Sequence, residues 1–188
     1  CNAWAGGLTG NGYAIQGNIL AGEQVVRAMQ DTFLQQSGTL TQRLFRALLA
    51  GDRAGGDRRG RQSAAIYVVK PQGGYGGFND RWIDYRVDDH TDPVPHLGEL
   101  LELHELYFGE SPIEERVQLA GQPLERLQVL MHHLGYYTGE PHGIYDPTSR
   151  RALETFIGNE NFEEHFDPEN GVIDRPVLEY LLRRFGDA

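Results

Sequence analysis

The stretch CNAWAGGLTGNGYAIQGNIL, residues 1–20, predicts a β-hairpin and with it the fold class of the N-terminal half. Residues 2–8 and 13–17 are small, aromatic or β-branched, as is common in strands. The interruption from Thr9 to Gly12 supplies residues that tolerate positive φ. We therefore expect two antiparallel strands that are joined by a tight turn, with Cys1 at the start of the first.

The segment that follows the hairpin predicts two helices, two strands and a third helix. Apolar residues at helical spacing cover 23–36 and 40–49. Residues 63–70 and 81–89 are typical of strands, and residues 94–109 are again helical. The expected order of elements in this unit is therefore ββααββα.

Glycine, serine and proline recur in residues 109–123, and the sequence patterns typical of strands end there. Beyond this point the pattern is entirely helical and predicts three amphipathic helices, with Thr148 and Asp174 as N-caps of the second and third. We therefore predict an α+β protein of two domains, 1–110 and 111–188, of which the second is a small three-helix module.

The composition argues against binding to nucleic acid and against a membrane-spanning segment. The 188 residues carry 17 basic and 27 acidic side chains, a formal net charge of -10. Phosphate binding needs a clustered basic face, so we expect no nucleic acid. No run approaches the ~20 apolar residues of a membrane span, so we expect no membrane span. The sequence leaves the compartment open between the cytoplasm, which it slightly favours, and the periplasm.

Cys1 is the only cysteine, which excludes an internal disulfide framework and a multi-cysteine zinc site. It is either a small buried residue at an arbitrary boundary or a new N-terminus made by cleavage. Cleavage would join a thiol of pKa near ~8.5 to an α-amine of pKa near ~8 on one residue, so that part of the amine is an unprotonated base at neutral pH. Such a thiolate can attack an amide carbonyl, and water then resolves the thioester.

Three stretches together resemble the DUF1028 family: residues 1–20, GGDRRGRQSAA at 55–65, and YRVDDHTDPVPHLGELLELHELYFG at 85–109. That family is placed in the Ntn-hydrolase superfamily, whose fold is a four-layer αββα sandwich. The resemblance implies that Cys1 is the nucleophile of an amide hydrolase acting on a small amide or peptide-like substrate. It also implies autoproteolysis of a precursor, whose upstream segment would complete a sheet that the hairpin leaves partial.

Asn18 is a candidate for the oxyanion site. It ends the second strand of the hairpin, beside the start of the first, so its amide could reach a carbonyl bound at Cys1. The alternative is an asparagine that caps the loop before the helix at Glu23. The resemblance to the Ntn-hydrolase superfamily favours the site.

The charged segment before the second pair of strands contains Asp57, Arg59, Arg61 and Gln62. Such a charge run is usually a solvated turn with local salt bridges. The functional alternative is a rim that fixes the substrate, because arginine binds a carboxylate through two parallel hydrogen bonds. In that interpretation Asp57 instead holds an α-ammonium, of Cys1 or of a substrate, and Gln62 adds a hydrogen bond.

Residues 87–92, VDDHTD, place three carboxylates around His90 and are compatible with Ca²⁺ or Mg²⁺. However, acidic residues are also favoured where a helix begins, by capping and by the helix dipole. No EF-hand pattern follows. We therefore expect neither a metal nor a cofactor.

Residues 134–161, LGYYTGEPHGIYDPTSRRALETFIGNEN, are similar to peptidoglycan-binding-like modules. His142 stands where these modules usually have aspartate before the glycine, and this departure weakens the transfer of ligand binding. Peptidoglycan is therefore one partner to consider, and a homo-oligomer stays open. The alternatives to an amide hydrolase are a cell-wall-associated lipoprotein with lipid on Cys1, or a non-catalytic binding protein that uses the C-terminal module.

Overall fold

The structure, a computed structural model, describes residues 4–186. The chain divides into two compact units, Cys1–Glu102 and Leu103–Ala188. Cys1, the predicted nucleophile, lies outside the described residues. Within the described part of the chain, no helix combines the length and the apolar character that crossing a bilayer requires.

The first unit has the predicted order ββααββα. Its elements are β1 (Trp4–Gly10), β2 (Tyr13–Leu20), α1 (Glu23–Gln35), α2 (Leu40–Arg53), β3 (Ala64–Val69), β4 (Arg81–Val87) and α3 (Pro93–Phe108). A single 3₁₀ turn, Tyr75–Gly77, precedes β4. Helix α3 contains the division between the two units, which falls after Glu102.

Strands β1 and β2 form the predicted hairpin. Gly10 pairs with Tyr13 across a two-residue turn, and Gly12 in that turn has a φ of 78°. Glycine adopts this conformation without the steric cost that a side chain brings. Helix α1 packs on both strands, and its Val25 and Val26 are buried.

Strands β3 and β4 form a second antiparallel pair, in which alternate residues of β3 face the core. The buried residues of this cluster are Ile66, Val68, Ile83, Val87 and Leu97. Side chains of α2 and α3 cover them, among them Phe45 and Leu101. The first unit is therefore a mixed α/β unit with two small antiparallel sheets among the described residues.

The second unit contains the three predicted helices but also a small sheet. Its elements are β5 (Arg116–Gln118), α4 (Gln122–His133), α5 (Pro147–Asn159), β6 (Phe166–Asp167), β7 (Val172–Asp174) and α6 (Arg175–Phe185). The three strands are antiparallel in the order β5-β7-β6. The expectation of an entirely helical module was wrong, because strands of two or three residues are too short to show a period in the sequence.

The core of the second unit is built mainly from the inner faces of its helices. Its fully buried side chains include Leu124, Leu127, Met131, Leu153, Phe156, Ile157 and Leu181. Helix α5 begins two residues earlier than predicted: Asp146, and not Thr148, is its N-cap and accepts a hydrogen bond from the Ser149 amide at 2.7 Å. Asp174 is the N-cap of α6, as predicted.

Candidate functional site

The hairpin carries a β-bulge at the end where β1 begins. Gly17 pairs with Gly6 and Leu20 pairs with Trp4. Between these two pairs, β2 has two residues and β1 has one, so the register shifts here. Asn18 is the first residue of the bulge and is exposed. Bulges of this kind are common next to active sites, where they redirect side chains.

Ile19, the second residue of the bulge, has a φ of 55°. For a β-branched residue this left-handed conformation is strained, at a cost on the order of 1–3 kcal/mol. The Ile19 carbonyl accepts a hydrogen bond from the Arg58 amide at 2.9 Å. The strained residue is thus held from outside the hairpin by the segment that contains the predicted arginines.

We call residues 55–63 the arginine loop. Its Gly56 carbonyl accepts from the Ala21 amide at 3.0 Å, and Asp57 forms an antiparallel bridge with Leu20. Leu20 therefore pairs with both Trp4 and Asp57. The start of β1, the bulge and the arginine loop together form one region, which we call the hairpin corner. Gly22 is the N-cap of α1.

Asp57 is bound by Arg59. The Arg59 guanidinium donates from Nε to one carboxylate oxygen at 3.0 Å and from Nη2 to the other at 2.7 Å, and the Arg59 amide donates to Oδ1 at 2.8 Å. The side-chain hydrogen bond from Arg59, followed by the backbone one, lowers the pKa of Asp57 to about 2. The carboxylate is therefore ionised at any physiological pH.

Arg61 joins three segments of the first unit. Its Nε donates to Asp52 near the end of α2 at 2.6 Å, and its Nη1 donates to Asp92, just before α3, at 2.9 Å. The hydrogen bond with Asp52 is the main cause of the raised pKa of Arg61. The carbonyl of Gln62 accepts from the His90 amide at 2.9 Å. This end of the arginine loop is thereby fixed to the segment that precedes α3.

The structure brings some of the predicted site residues together and separates others. Asn18, Asp57 and Arg59 lie at the end of the hairpin corner that joins the bulge, whereas Arg61 and Gln62 bond to the acidic segment before α3. Sequence reasoning missed Ile19, because nothing in a single sequence marks an isoleucine with positive φ. It also missed the pairing of Arg61 with Asp92, which is 31 residues distant in the chain.

The acidic segment at 87–92 forms a capped turn. His90 Nδ1 accepts from the Asp92 amide at 3.0 Å, and the His90 ring stacks on that of His96 with 4.8 Å between centroids. Among residues 4–186, no three His, Cys, Asp or Glu side chains are grouped so that they could hold a metal ion.

The second unit contains a loop that is held by a buried glutamine. Gln128, in α4, is fully buried. Its side-chain oxygen accepts from the His142 and Gly143 amides, both at 2.8 Å, and its side-chain nitrogen donates to Ser149 Oγ at 2.8 Å. One side chain therefore connects α4, the start of α5 and the loop between these two helices, which contains His142 and Gly143.

His142 takes over a backbone contact that aspartate commonly makes. Its Nδ1 accepts from the amide of Ile144, two residues on, at 3.0 Å. An aspartate carboxylate makes the same contact in an Asx turn, so His142 preserves the local turn. Gly143 has a φ of 68°, and a Cβ there would lie 2.7 Å from the Gly121 carbonyl oxygen. Only glycine fits this position.

Together, the fold and the site define a two-unit protein: a mixed α/β unit with a bulged hairpin and an arginine loop, followed by a small helical unit with a three-stranded sheet. The chain belongs to the DUF1028 family, a family of unknown function whose model matches residues 1–97. A second family model, that of a peptidoglycan-binding-like domain, matches residues 107–181. Both resemblances that were inferred from the sequence are confirmed.

One solved structure similar to this chain is a crystal structure of protein SPO2555 from Silicibacter pomeroyi, which is assigned to the same DUF1028 family model. The two are 27% identical, with a TM-score of 0.47, and the match covers 55% of this chain and 43% of that one. The chain thus spans less than half the length of the structure that it matches. None of the curated proteins matches the chain.

Proposed function

We propose that this chain is the nucleophile-bearing part of an amide hydrolase, with Cys1 as the nucleophile and its own α-amine as the base. Membership of the DUF1028 family supports this proposal, on the further premise, taken over from the sequence resemblance, that this family is an Ntn hydrolase. The observation that carries it is the hairpin corner, where Leu20 pairs with both Trp4 and Asp57. Trp4 follows Cys1 by three residues.

The proposed chemistry needs only the chain's own groups. The Cys1 α-amine takes the thiol proton as the sulfur attacks the amide carbonyl, and the resulting ammonium gives that proton to the leaving amine. Water then hydrolyses the thioester to the carboxylic acid and regenerates the thiol. The Asn18 side-chain amide is the proposed donor to the oxyanion, since it lies on the bulge opposite the start of β1.

A free α-amine on Cys1 requires cleavage of the peptide bond before it, so the proposal includes autoproteolysis of a precursor. We also propose that the two sheets of the first unit are inner layers of an αββα sandwich, extended by an upstream segment of the same precursor. In support, each sheet has two strands among the described residues, fewer than the roughly four to six that are most common in sheets. Tyr67 and Val69 on β3 are also exposed, at 60% and 59%.

The test is mass spectrometry and N-terminal sequencing of the expressed full-length gene product, with Cys1→Ala as its matched variant. We expect two polypeptides that purify together, one of them starting with a free Cys1 amine, and a single uncleaved chain for Cys1→Ala. Cys1→Ala should also abolish amide hydrolysis. A precursor that stays intact, or one that is cut equally well without the thiol, would contradict the proposal.

A second candidate function, peptidoglycan binding by the C-terminal unit, is favoured by the family match at residues 107–181. The loop that Gln128 holds is preformed, which reduces the entropy lost on binding. Sedimentation of the chain with purified sacculi tests this function.

The lipoprotein alternative predicts an intact mass increased by acyl chains on Cys1. The mass spectrum of the expressed gene product, described above, detects this increase.

A further inference from the structure

Arg59 already holds a carboxylate, and that carboxylate belongs to its own loop. Nε and Nη2 donate to the two oxygens of Asp57 at 3.0 and 2.7 Å. These two parallel hydrogen bonds are the arrangement by which arginine binds a carboxylate of a ligand. The Nε/Nη2 edge of the guanidinium, one of the two edges through which arginine can bind a carboxylate, is therefore occupied by Asp57.

We propose that Arg59 is the binding site for a carboxylate group of the ligand, and that this carboxylate enters by displacing Asp57 from the guanidinium. Asp57 is then an internal competitor that fills the site when no ligand is present. The inference rests on the proposed function only in taking the ligand to be an amide that also bears a carboxylate.

The Asp57–Arg59 pair is suited to exchange because both side chains are accessible. The Arg59 side chain is 70% exposed and that of Asp57 is 32% exposed. Ion pairs at such exposure contribute little to stability, so a second carboxylate can compete for the guanidinium. Asp57 also accepts from the Arg59 amide at 2.8 Å, a contact that keeps the turn in place when the guanidinium leaves.

Arg61 is less suited than Arg59 to exchange its bound carboxylates for a ligand. It is bound by two carboxylates from different segments, and the Asp52 side chain is only 10% exposed. A ligand would have to displace a partly buried carboxylate to use the Nε edge of Arg61. Arg61 is instead a positioning residue that fixes the far end of the arginine loop while Arg59 exchanges partners.

The loop backbone is anchored on both sides of the exchanging pair. On one side, the Ile19 carbonyl accepts from the Arg58 amide at 2.9 Å, and Asp57 is bridged to Leu20. On the other side, the Gln62 carbonyl accepts from the His90 amide at 2.9 Å. The exchange therefore needs only side-chain rotation, without movement of the loop.

The experiment is an NMR titration of the full chain that follows the Arg59 Nε–H signal. The probes are N-acetylglycine, which carries an amide and a carboxylate, and N-acetylglycinamide, its neutral counterpart. We expect Asp57→Asn to tighten N-acetylglycine binding about two- to fivefold, because the carboxylate that competes for Arg59 is removed. The affinity for the neutral probe should not change. The asparagine oxygen still accepts from the Arg59 amide, so the turn is preserved.

Two further variants complete the design. Arg59→Lys keeps the charge but loses the two-bond geometry, so it should weaken N-acetylglycine binding even in combination with Asp57→Asn. Glu169→Gln is the matched control, because Glu169 is held by Arg150 through two hydrogen bonds in the other unit. It makes the same change in net charge and should leave the affinity for both probes unchanged.

The inference is overturned if Asp57→Asn leaves N-acetylglycine binding unaltered, if it affects both probes equally, or if Glu169→Gln tightens the acid to the same extent. Absence of any shift of the Arg59 signal overturns it as well. Because the titration measures binding without turnover, it can be repeated in Cys1→Ala. A chain that binds the acid through Arg59 but hydrolyses no amide contradicts only the proposed hydrolase function.

Discussion

Asp57 forms an antiparallel bridge with Leu20, so the arginine loop extends the hairpin where β2 leaves its bulge. Because Leu20 also pairs with Trp4, the arginine loop is connected to the start of β1. The position of the loop depends on the conformation of the bulge, because the strained Ile19 supplies the carbonyl that binds the Arg58 amide. The bulge is therefore the first feature to test.

We expect Ile19→Gly to cost much less stability than Ile15→Gly. Both residues lie in β2, but Ile15 is buried and has regular strand geometry, whereas Ile19 is half-buried with a φ of 55°. Glycine relieves a strain of about 1–3 kcal/mol at position 19 and relieves none at position 15. Urea unfolding should show a difference of at least ~2 kcal/mol between the two variants. Equal losses would mean that the bulge stores no strain.

The Asp57 carboxyl should titrate near pH 2. Its folded pKa of about 2 lies below the ordinary value of 3.8, mainly because of the side-chain hydrogen bond from Arg59. The pair therefore contributes stability above pH ~4, and this contribution is lost as the pH falls through about 2. NMR detection of the carboxyl carbon measures the titration directly.

Arg59→Lys should raise the pKa of Asp57 toward its ordinary value, because the two-bond contact is lost. The pKa of Glu169, which Arg150 lowers through its own hydrogen bond, is the internal reference and should not change. An Asp57 titration that is insensitive to Arg59→Lys would show that the pair does not form in solution.

The elements of the first unit could be predicted from sequence because each has a period. The apolar positions of α1 and α2 repeat at helical spacing, and the turn at Gly12 separates two short strand patterns. Strands β5 and β7 could not be predicted. They have three residues each, and Val117 pairs with Ile173 across more than fifty residues of chain. Their strand conformation is set by tertiary pairing and by no local signal.

The candidate site was predictable only by residue type. Asp57, Arg59 and Arg61 stand out as a charge run, but the sequence does not show which acid each arginine binds. Arg59 binds its near neighbour Asp57, whereas Arg61 binds Asp52 and Asp92. These choices follow from the path of the loop between α2 and α3, which depends on how the whole unit packs.

The two partners of Arg61 should differ in importance. The Asp52 side chain is 10% exposed, whereas that of Asp92 is 58% exposed. Because solvent screens the exposed pair more strongly, Asp52→Asn should lower the melting temperature more than Asp92→Asn does. Added salt should reduce the effect of Asp92→Asn further. If the two variants melt at the same temperature, Arg61 does not fix the loop through α2.

In the second unit, Gln128→Leu should be severely destabilising and Gln118→Leu should not. Leucine at position 128 removes the acceptor for the His142 and Gly143 amides and the donor to Ser149 Oγ. Gln128 and Ser149 are fully buried, so water cannot easily replace these contacts. Each buried polar group left without a partner costs about 1–3 kcal/mol, so we expect a loss of at least ~3 kcal/mol.

Gln118 is the matched control because it also bonds to backbone, donating to the Asn170 carbonyl at 2.7 Å and to the Gly171 carbonyl at 3.2 Å. It is exposed, so in Gln118→Leu water can hydrate the Asn170 carbonyl while the Gly171 carbonyl keeps its hydrogen bond from the Leu119 amide, and the loss should stay within ~1 kcal/mol. Urea unfolding followed by circular dichroism gives both values. Hydrogen exchange supplies a local readout, since only Gln128→Leu should remove protection from the His142 and Gly143 amides. Equal protection in the two variants would show that the loop is held by contacts other than Gln128.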